Sequence, residues 1–205
     1  MLSTMKITEF LAATSSDAPV PGGGSVAALS AAIASSLAEM VANLTIGKKG
    51  YDEVQDEMKA ISEKMSAYTP KFVDFIDKDA TSFDDVMKAF KLPKETDEEK
   101  KTRTEAIQNG MKLAANVPLE TAQASMEILG MIEAVVERGN SNAVTDGAVA
   151  AMMTRTAVLS ALYNVKINLG SIKDAEYVEK AAAEVARIEK EVVEIEARIL
   201  SKVKL

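Results

Sequence analysis

Between Ser25 and Leu44 the chain carries eleven Ala or Ser residues in twenty positions, directly after Pro21-Gly22-Gly23-Gly24. Ala is the strongest helix former, and small side chains let neighbouring backbones come close. A segment of this kind reads as a central helix packed on several sides. Ser25 stands where an N-cap is expected, immediately before Val26. The three glycines leave the preceding backbone free to take positive φ and to admit another group at close range. A helix start also aims unpaired N–H groups and the positive end of its dipole at whatever lies in front of it. Two accounts fit the glycines: a flexible connector before a core helix, or a ligand-cradling wall. Residues 25–46 match a membrane span in length, yet Ala and Ser gain little in lipid, and Glu39 and Asn43 interrupt the run.

The rest of the chain also reads as helical. Of its 205 residues, 47% are hydrophobic but only 4% aromatic, a mix that favours helix over strand. Pro19, Pro21, Pro70, Pro93 and Pro118 read as punctuation between helices. The length suits one domain with a real core. The expectation is an all-α, single-domain bundle of about six to eight helices over residues 1–205. A net charge of −7 argues against a nucleic-acid partner but leaves room for an anionic small ligand on a local lysine cluster. No signal-peptide pattern is present, so a soluble cytoplasmic protein with no membrane partner is expected. Cysteine and histidine are both absent. That excludes thiol chemistry, disulfides, Ser-His-Asp and Cys-His arrangements and His-based metal sites. Catalysis would fall to Asp, Glu, Lys, Tyr, Ser, Asn or backbone N–H groups.

Taken in order, residues 4–14 place Ile7, Phe10 and Leu11 at helical spacing. After the Ala/Ser helix, Gly47-Lys48-Lys49-Gly50 forms a positively charged turn. It is either a glycine cap with lysines favoured by the helix dipole or a binding site for carboxylates or phosphates. Residues 51–90 are helical in pattern, with Pro70 kinking one helix or opening a second. At about 100° per residue, Phe72, Ile76, Phe83, Met87 and Phe90 make one apolar stripe, with Asp77, Lys78, Asp84 and Asp85 away from it. Asp79 projects into the middle of that stripe. A carboxyl there is desolvated, which raises its pKa and fits it for proton transfer near neutral pH. The alternative is an Asp bonded to a neighbouring helix or lysine.

Thr96 and Glu99 have the form of a capping box. A charged helix should run to about Ala115, break at Asn116-Val117-Pro118, and resume over 118–138 before Gly139-Asn140. Residues 143–169 place Asp146, Ala150, Met153, Ala157, Ala161, Asn164 and Asn168 on one face, polar at both ends. Those ends are either bonded between helices or walls of a polar pocket. Residues 174–203 form an amphipathic packing helix.

In combination these pieces resemble a known family. Pro21 to Leu29 is similar to the signature of the cyclodeaminase/cyclohydrolase family, which includes the C-terminal domain of formiminotransferase-cyclodeaminase and free-standing bacterial methenyltetrahydrofolate cyclohydrolases. The resemblance continues through Met40–Thr45, Gly47-Lys48-Lys49 with Tyr51, Asp79-Ala80 with Phe83, and Leu92-Pro93-Lys94. Val117-Pro118-Leu119, Gly139-Asn140, Asp146 and Asn164-Val165 with Asn168-Leu169 complete it, from about residue 6 to 175 in the expected order.

The resemblance implies an all-helical homodimer, a folate site at the glycine-rich loop, and chemistry at the one-carbon bridge between N5 and N10 of tetrahydrofolate. It places the catalytic acid on Asp79. On that basis Gly22, Gly23, Gly24 and Ser25 are expected to orient the pterin or the reacting carbon. Lys48 and Lys49 are expected to hold the glutamate-tail carboxylates, and Asp146, Asn164 and Asn168 to touch the pterin or its neighbours. No metal or redox cofactor is expected, since no electrons change hands. A chain without a transferase half suits the cyclohydrolase. The cyclodeaminase is the alternative, and a non-catalytic helical assembly module is the alternative of another class.

Overall fold

The Ala/Ser helix is the centre of the molecule. The computed structural model describes all of Met1–Leu205 as six α-helices: α1 (Ile7–Thr14), α2 (Gly23–Asn43), α3 (Gln55–Phe90), α4 (Asp97–Arg138), α5 (Val144–Leu169) and α6 (Ala175–Leu200). Short 3-10 turns at Leu2–Thr4, Asp52–Val54 and Ser141–Ala143 complete it, with no strands. α2 packs against α3, α4 and α5 at once. Ala27, Ala28, Ala31, Ala34 and Ala38 are fully buried, which is how one helix fits between three others. Of the six helices, α2 alone is long and apolar enough to cross a membrane, and most of its apolar window is buried inside the protein. Its hydroxyls are spent internally: Ser30 and Ser36 donate to carbonyls four residues back, and Ser35 pairs with Thr69 of α3 at 2.8 Å.

Forty buried residues make one connected core, with Phe72, Met58, Met65, Ile128, Leu129, Ile132, Leu162 and Ile188 among its largest fully enclosed members. Burying each such side chain stabilises the fold by about 1.5–3 kcal/mol. α6 is capped by Asp174, whose carboxylate accepts from the Tyr177 N–H at 3.1 Å. It lays Val185, Ile188, Val192 and Ile199 onto the bundle. The Thr96–Glu99 capping box opens α4 as expected.

Across Pro70 α3 is one helix, the first of the two alternatives set out above. Several local expectations fail elsewhere. α4 runs unbroken through Pro118 where the sequence predicts a break, because packing along 42 residues outweighs one missing backbone bond. Ile7 and Leu11 are 80% and 60% exposed, so only Phe10 anchors α1. Asp77 does not face open solvent. It ties down the chain start, accepting from the Leu2 N–H at 2.6 Å and from the Ser3 hydroxyl.

The α3 stripe is also rotated. Its buried row is Phe72, Phe75, Val86 and Ala89 with Ser82, and of the expected stripe Phe72 and Ile76 are buried while Met87 and Phe90 stand exposed. Positions 72, 75, 79, 82, 86 and 89 repeat every 3.5 residues, as in a helix wrapping its neighbours. A straight 100° projection drifts from that row by about 20° per heptad. Asp79, half-buried, lies on that row on either reckoning.

Candidate active site

α3 crosses the start of α2 at Asp79, and the sequence makes room for it there. α2 begins at Gly23 with Gly22 as its N-cap and no side-chain cap. Ser25 is therefore not the cap. It lies inside the first turn, and its hydroxyl turns toward α3. None of Gly22, Gly23 and Gly24 has positive φ, so the glycines serve close approach and not an unusual turn. A Cβ on Gly24 would sit 2.0 Å from Asp79 Oδ1, and one on Gly23 would sit 3.1 Å from Asn164 Nδ2. The carboxyl rests against bare backbone.

The first helical bond of α2 runs from the Val26 N–H to the Gly22 carbonyl. The N–H groups of Gly23, Gly24 and Ser25 therefore have no helical acceptor and, with the helix dipole, make this end locally positive. Ser25 Oγ lies 2.9 Å from Asp79 Oδ2 and 3.2 Å from the Ile76 carbonyl oxygen. One hydroxyl proton serves one acceptor at a time. With Asp79 ionised, Ser25 donates to the carboxylate. With Asp79 protonated, the carboxyl can donate to Ser25 Oγ, which then donates to Ile76. Both protonation states are thus bonded in place. Burial pushes the Asp79 pKa above the ordinary carboxyl value, and the Ser25 hydroxyl and amide offset part of that rise.

A cleft of about 330 Å³ opens over this carboxyl, walled by Gly22, Gly23, Gly24, Asp79, Asn164 and Asn168. Asn164 Nδ2 donates to the Ser160 carbonyl at 2.9 Å, and Asn168 Nδ2 to the Ala114 carbonyl at 2.7 Å. Neither side-chain oxygen is engaged by a protein donor, so both can accept from a ligand. Pro19, Val20, Ser82, Phe83, Ala114 and Ile167 complete the walls. None of these is among the expected site residues. Phe83 is marked in sequence by the apolar stripe and by its place in the family resemblance after Asp79, and Ile167 only as an apolar residue one step before Asn168.

Lys48, Lys49 and Asp146 are elsewhere. α2 separates the lysine turn from the glycines by about 30 Å, at 1.5 Å per residue, and Asp146 stands at the opposite end of α5 from Asn164. Within one chain these three do not join Asp79. Of the polar face on α5, only the Asn164–Asn168 end walls the cleft. The lysine turn is nonetheless well built. Gly47 and Gly50 take φ of 72° and 89°. Gln55 accepts from the Gly47 N–H at 2.7 Å and donates to the Thr45 and Tyr51 carbonyls. Neither lysine pairs with a carboxylate of its own chain. Asp146 has no partner either.

The formiminotransferase-cyclodeaminase family model matches residues 6–187. The chain belongs to this family. It is 38% identical to a methenyltetrahydrofolate cyclohydrolase of Methylorubrum extorquens, spanning all of this chain and 98% of that one. It is 36% identical to the formimidoyltransferase-cyclodeaminase of Rattus norvegicus over 78% of this chain, which spans 30% of that longer protein. In three dimensions it resembles the formiminotetrahydrofolate cyclodeaminase of Thermotoga maritima, with TM-score 0.88 and 32% identity over 99% of this chain and 98% of that one. The all-helical family fold is thus that of the full length, with Asp79, the glycine start and the two asparagines gathered at one end of it.

Proposed function

We propose that the protein is a methenyltetrahydrofolate cyclohydrolase, adding water to the bridge between N5 and N10 to give 10-formyltetrahydrofolate. The observation that carries this is a single titratable carboxyl, Asp79, held against bare glycine backbone in a polar cleft, in a chain alike over its whole length to a named cyclohydrolase.

The residues supply each need of the reaction. The substrate's bridge is cationic, and an ionised Asp79 beside it stabilises that charge. Water attacks the bridging carbon while the carboxylate takes its proton, leaving a tetrahedral carbon between two nitrogens. The free N–H groups of Gly23 and Gly24 face oxygen charge developing there. Protonated Asp79, still held by Ser25, returns the proton to N5 as the C–N5 bond breaks. The hydroxyl on the tetrahedral carbon meanwhile gives its remaining proton to solvent and becomes the formyl C=O. A carboxyl with raised pKa is suited to both steps near neutral pH. Asn164 and Asn168 accept from pterin N–H groups. No redox change occurs, so no redox cofactor enters the chemistry.

The cyclodeaminase reaction is the second reading, supported by the close likeness to the Thermotoga enzyme. There N10 attacks a formimino carbon and ammonia leaves, through the same kind of tetrahedral carbon and with the same proton carrier. We infer further that the protein is cytoplasmic, a single domain over residues 1–205, and a homodimer, in keeping with the resemblance set out above.

One assay separates the readings. Purified protein is given 5,10-methenyltetrahydrofolate, and its near-ultraviolet absorbance is followed. Accelerated loss is the cyclohydrolase result. Formation of that absorbance from 5-formiminotetrahydrofolate with ammonia release is the cyclodeaminase result. Neither activity, with no folate binding, overturns both and leaves a helical assembly module.

A further inference from the structure

Asn116-Val117-Pro118 reads as a break in the sequence, yet α4 passes through Pro118 with the ring buried. A proline inside a helix leaves one acceptor without a donor, the carbonyl four residues back. For Pro118 that carbonyl belongs to Ala114, a buried residue on the wall of the cleft over Asp79. A buried carbonyl without a partner is costly, and nearly all find one. Here the partner comes from another helix. Asn168 of α5 donates its Nδ2 to this oxygen at 2.7 Å. Pro70 in α3 leaves the same gap at Ser66, but both residues are exposed there, so water serves the carbonyl. At Pro118 the gap is closed by a side chain of the cleft.

What this bond fixes is the polarity of Asn168. The two ends of an asparagine amide are nearly the same size, and rotation about χ2 exchanges them at little steric cost. Which end meets a ligand is decided by what holds the other. The Ala114 oxygen can only accept, so it keeps the NH2 group toward α4 and leaves Oδ1 without a protein donor. Asn164 is held differently. Its Nδ2 donates at 2.9 Å to the Ser160 carbonyl of its own helix, an oxygen that also stands opposite the backbone N–H of Asn164 itself. The Asn168 bond is the shorter one, and its acceptor has no helical donor to share.

We propose that Pro118 is a positioning residue for the reaction. By withholding one N–H from α4 it keeps the Ala114 carbonyl open for Asn168, which then presents its oxygen to N–H donors of the substrate. An amino acid with an N–H in place of Pro118 would occupy the Ala114 oxygen and weaken its hold on the side chain. The amide is then free to turn its NH2 group to the cleft, where donor would meet donor. The proposal rests on the folate reading for the identity of the substrate donors, but not for the orientation of Asn168.

That orientation is read first without substrate. In the NMR spectrum of isotope-labelled protein, the side-chain amide of Asn168 is identified by its loss in Asn168→Ala, and its hydrogen exchange with water is followed. Pro118→Ala should speed that exchange about tenfold, the scale of one hydrogen bond in net terms. Replacing Pro118 by the α-hydroxy analogue of alanine, which has neither ring nor N–H, should keep the exchange close to the wild-type rate. Equal exchange in wild type and Pro118→Ala, or fast exchange in both variants, overturns the proposal.

Turnover supplies the second measurement. Ala is the better helix former and restores a backbone bond, so Pro118→Ala should melt no lower than wild type. Its KM for methenyltetrahydrofolate should nevertheless rise about three- to tenfold, with kcat within about twofold, and the α-hydroxy analogue should restore KM. In an Asn168→Ala background, the same Pro118→Ala change should move KM by less than about twofold, because the two residues act through one bond. A variant that melts lower and loses kcat and KM alike, or a KM effect that persists without Asn168, makes Pro118 a packing residue and overturns the proposal. A wild type that neither binds nor turns over folate removes the functional reading, and the exchange rates then decide the orientation of Asn168 by themselves.

Discussion

The two glycine-bearing segments of this molecule use the missing Cβ for opposite purposes. At Gly23–Gly24 the backbone is ordinary and the space is full, since a methyl group on Gly24 would overlap the Asp79 carboxyl. At Gly47 and Gly50 the space is empty, with nothing within 4 Å of either added Cβ, and the backbone is left-handed. The first segment gives room to a titrating group. The second gives a direction to a turn. Glycine runs in sequence do not announce which of the two is at work, and here only the neighbours decide.

Substitutions should separate the two uses. Asp79→Asn removes the group that the first segment accommodates and should cut kcat at least about a hundredfold while folate binding persists. The same change should stabilise the protein. Folding raises the Asp79 pKa, so the stabilisation from its protonation is complete below the ordinary carboxyl range and is lost as pH rises through the folded value. Above that value the buried charge costs stability that Asn does not. Melting of Asp79→Asn at pH 8 should exceed wild type by about 2–4 °C, and the gain should vanish at about pH 4. A variant that melts lower at both pH values would make Asp79 a structural residue.

Gly24→Ala comes next. Its methyl must displace the carboxyl, so kcat should fall by roughly tenfold to a hundredfold, with about 1–3 kcal/mol of stability lost to overpacking. Normal turnover would mean that the carboxyl does not need this wall. Ser25→Ala leaves the space alone and removes the donor to the ionised carboxyl. Turnover should drop about two- to tenfold, and the acid limb of the rate profile should move to higher pH. An unmoved limb would detach Ser25 from the titration. Gly47→Ala should have the smallest effect on chemistry. Forcing a Cβ into left-handed backbone costs about 1–2 kcal/mol, visible in the melting temperature, with the acid limb unmoved. A shifted limb there would erase the distinction between the two segments.

Much of the bundle was legible beforehand because its signals are local. The Thr96–Glu99 box, the glycine turn, the Ala/Ser run and the Asp79 position each follow from residues within a few turns. Pro118 misleads because its cost is local while the packing that overrides it spans the whole helix. Ser25 reads as a cap in the sequence because its actual partner, Asp79, is 54 positions away. The family resemblance groups Lys48, Lys49 and Asp146 with Asp79 because motifs carry order but no distance. The 30 Å length of α2 is what separates them. Ile167 carries no chemical signal and Phe83 only its place in the motif after Asp79, so their position in the cleft emerges only from the crossing of α5, α3 and the glycine start.

The burial of α2 also has a history in time. Its partners α3, α4 and α5 all follow it in the chain, the last ending at Leu169. At about 5–20 residues per second, a nascent chain displays this 21-residue apolar helix for on the order of ten seconds before its own bundle can enclose it. During that interval it looks, by length and hydropathy, like a segment bound for lipid. Synthesis of this protein should therefore depend on holding factors that shelter apolar helices, and slowing translation beyond Asn43 should lower soluble yield more than slowing it beyond Leu169.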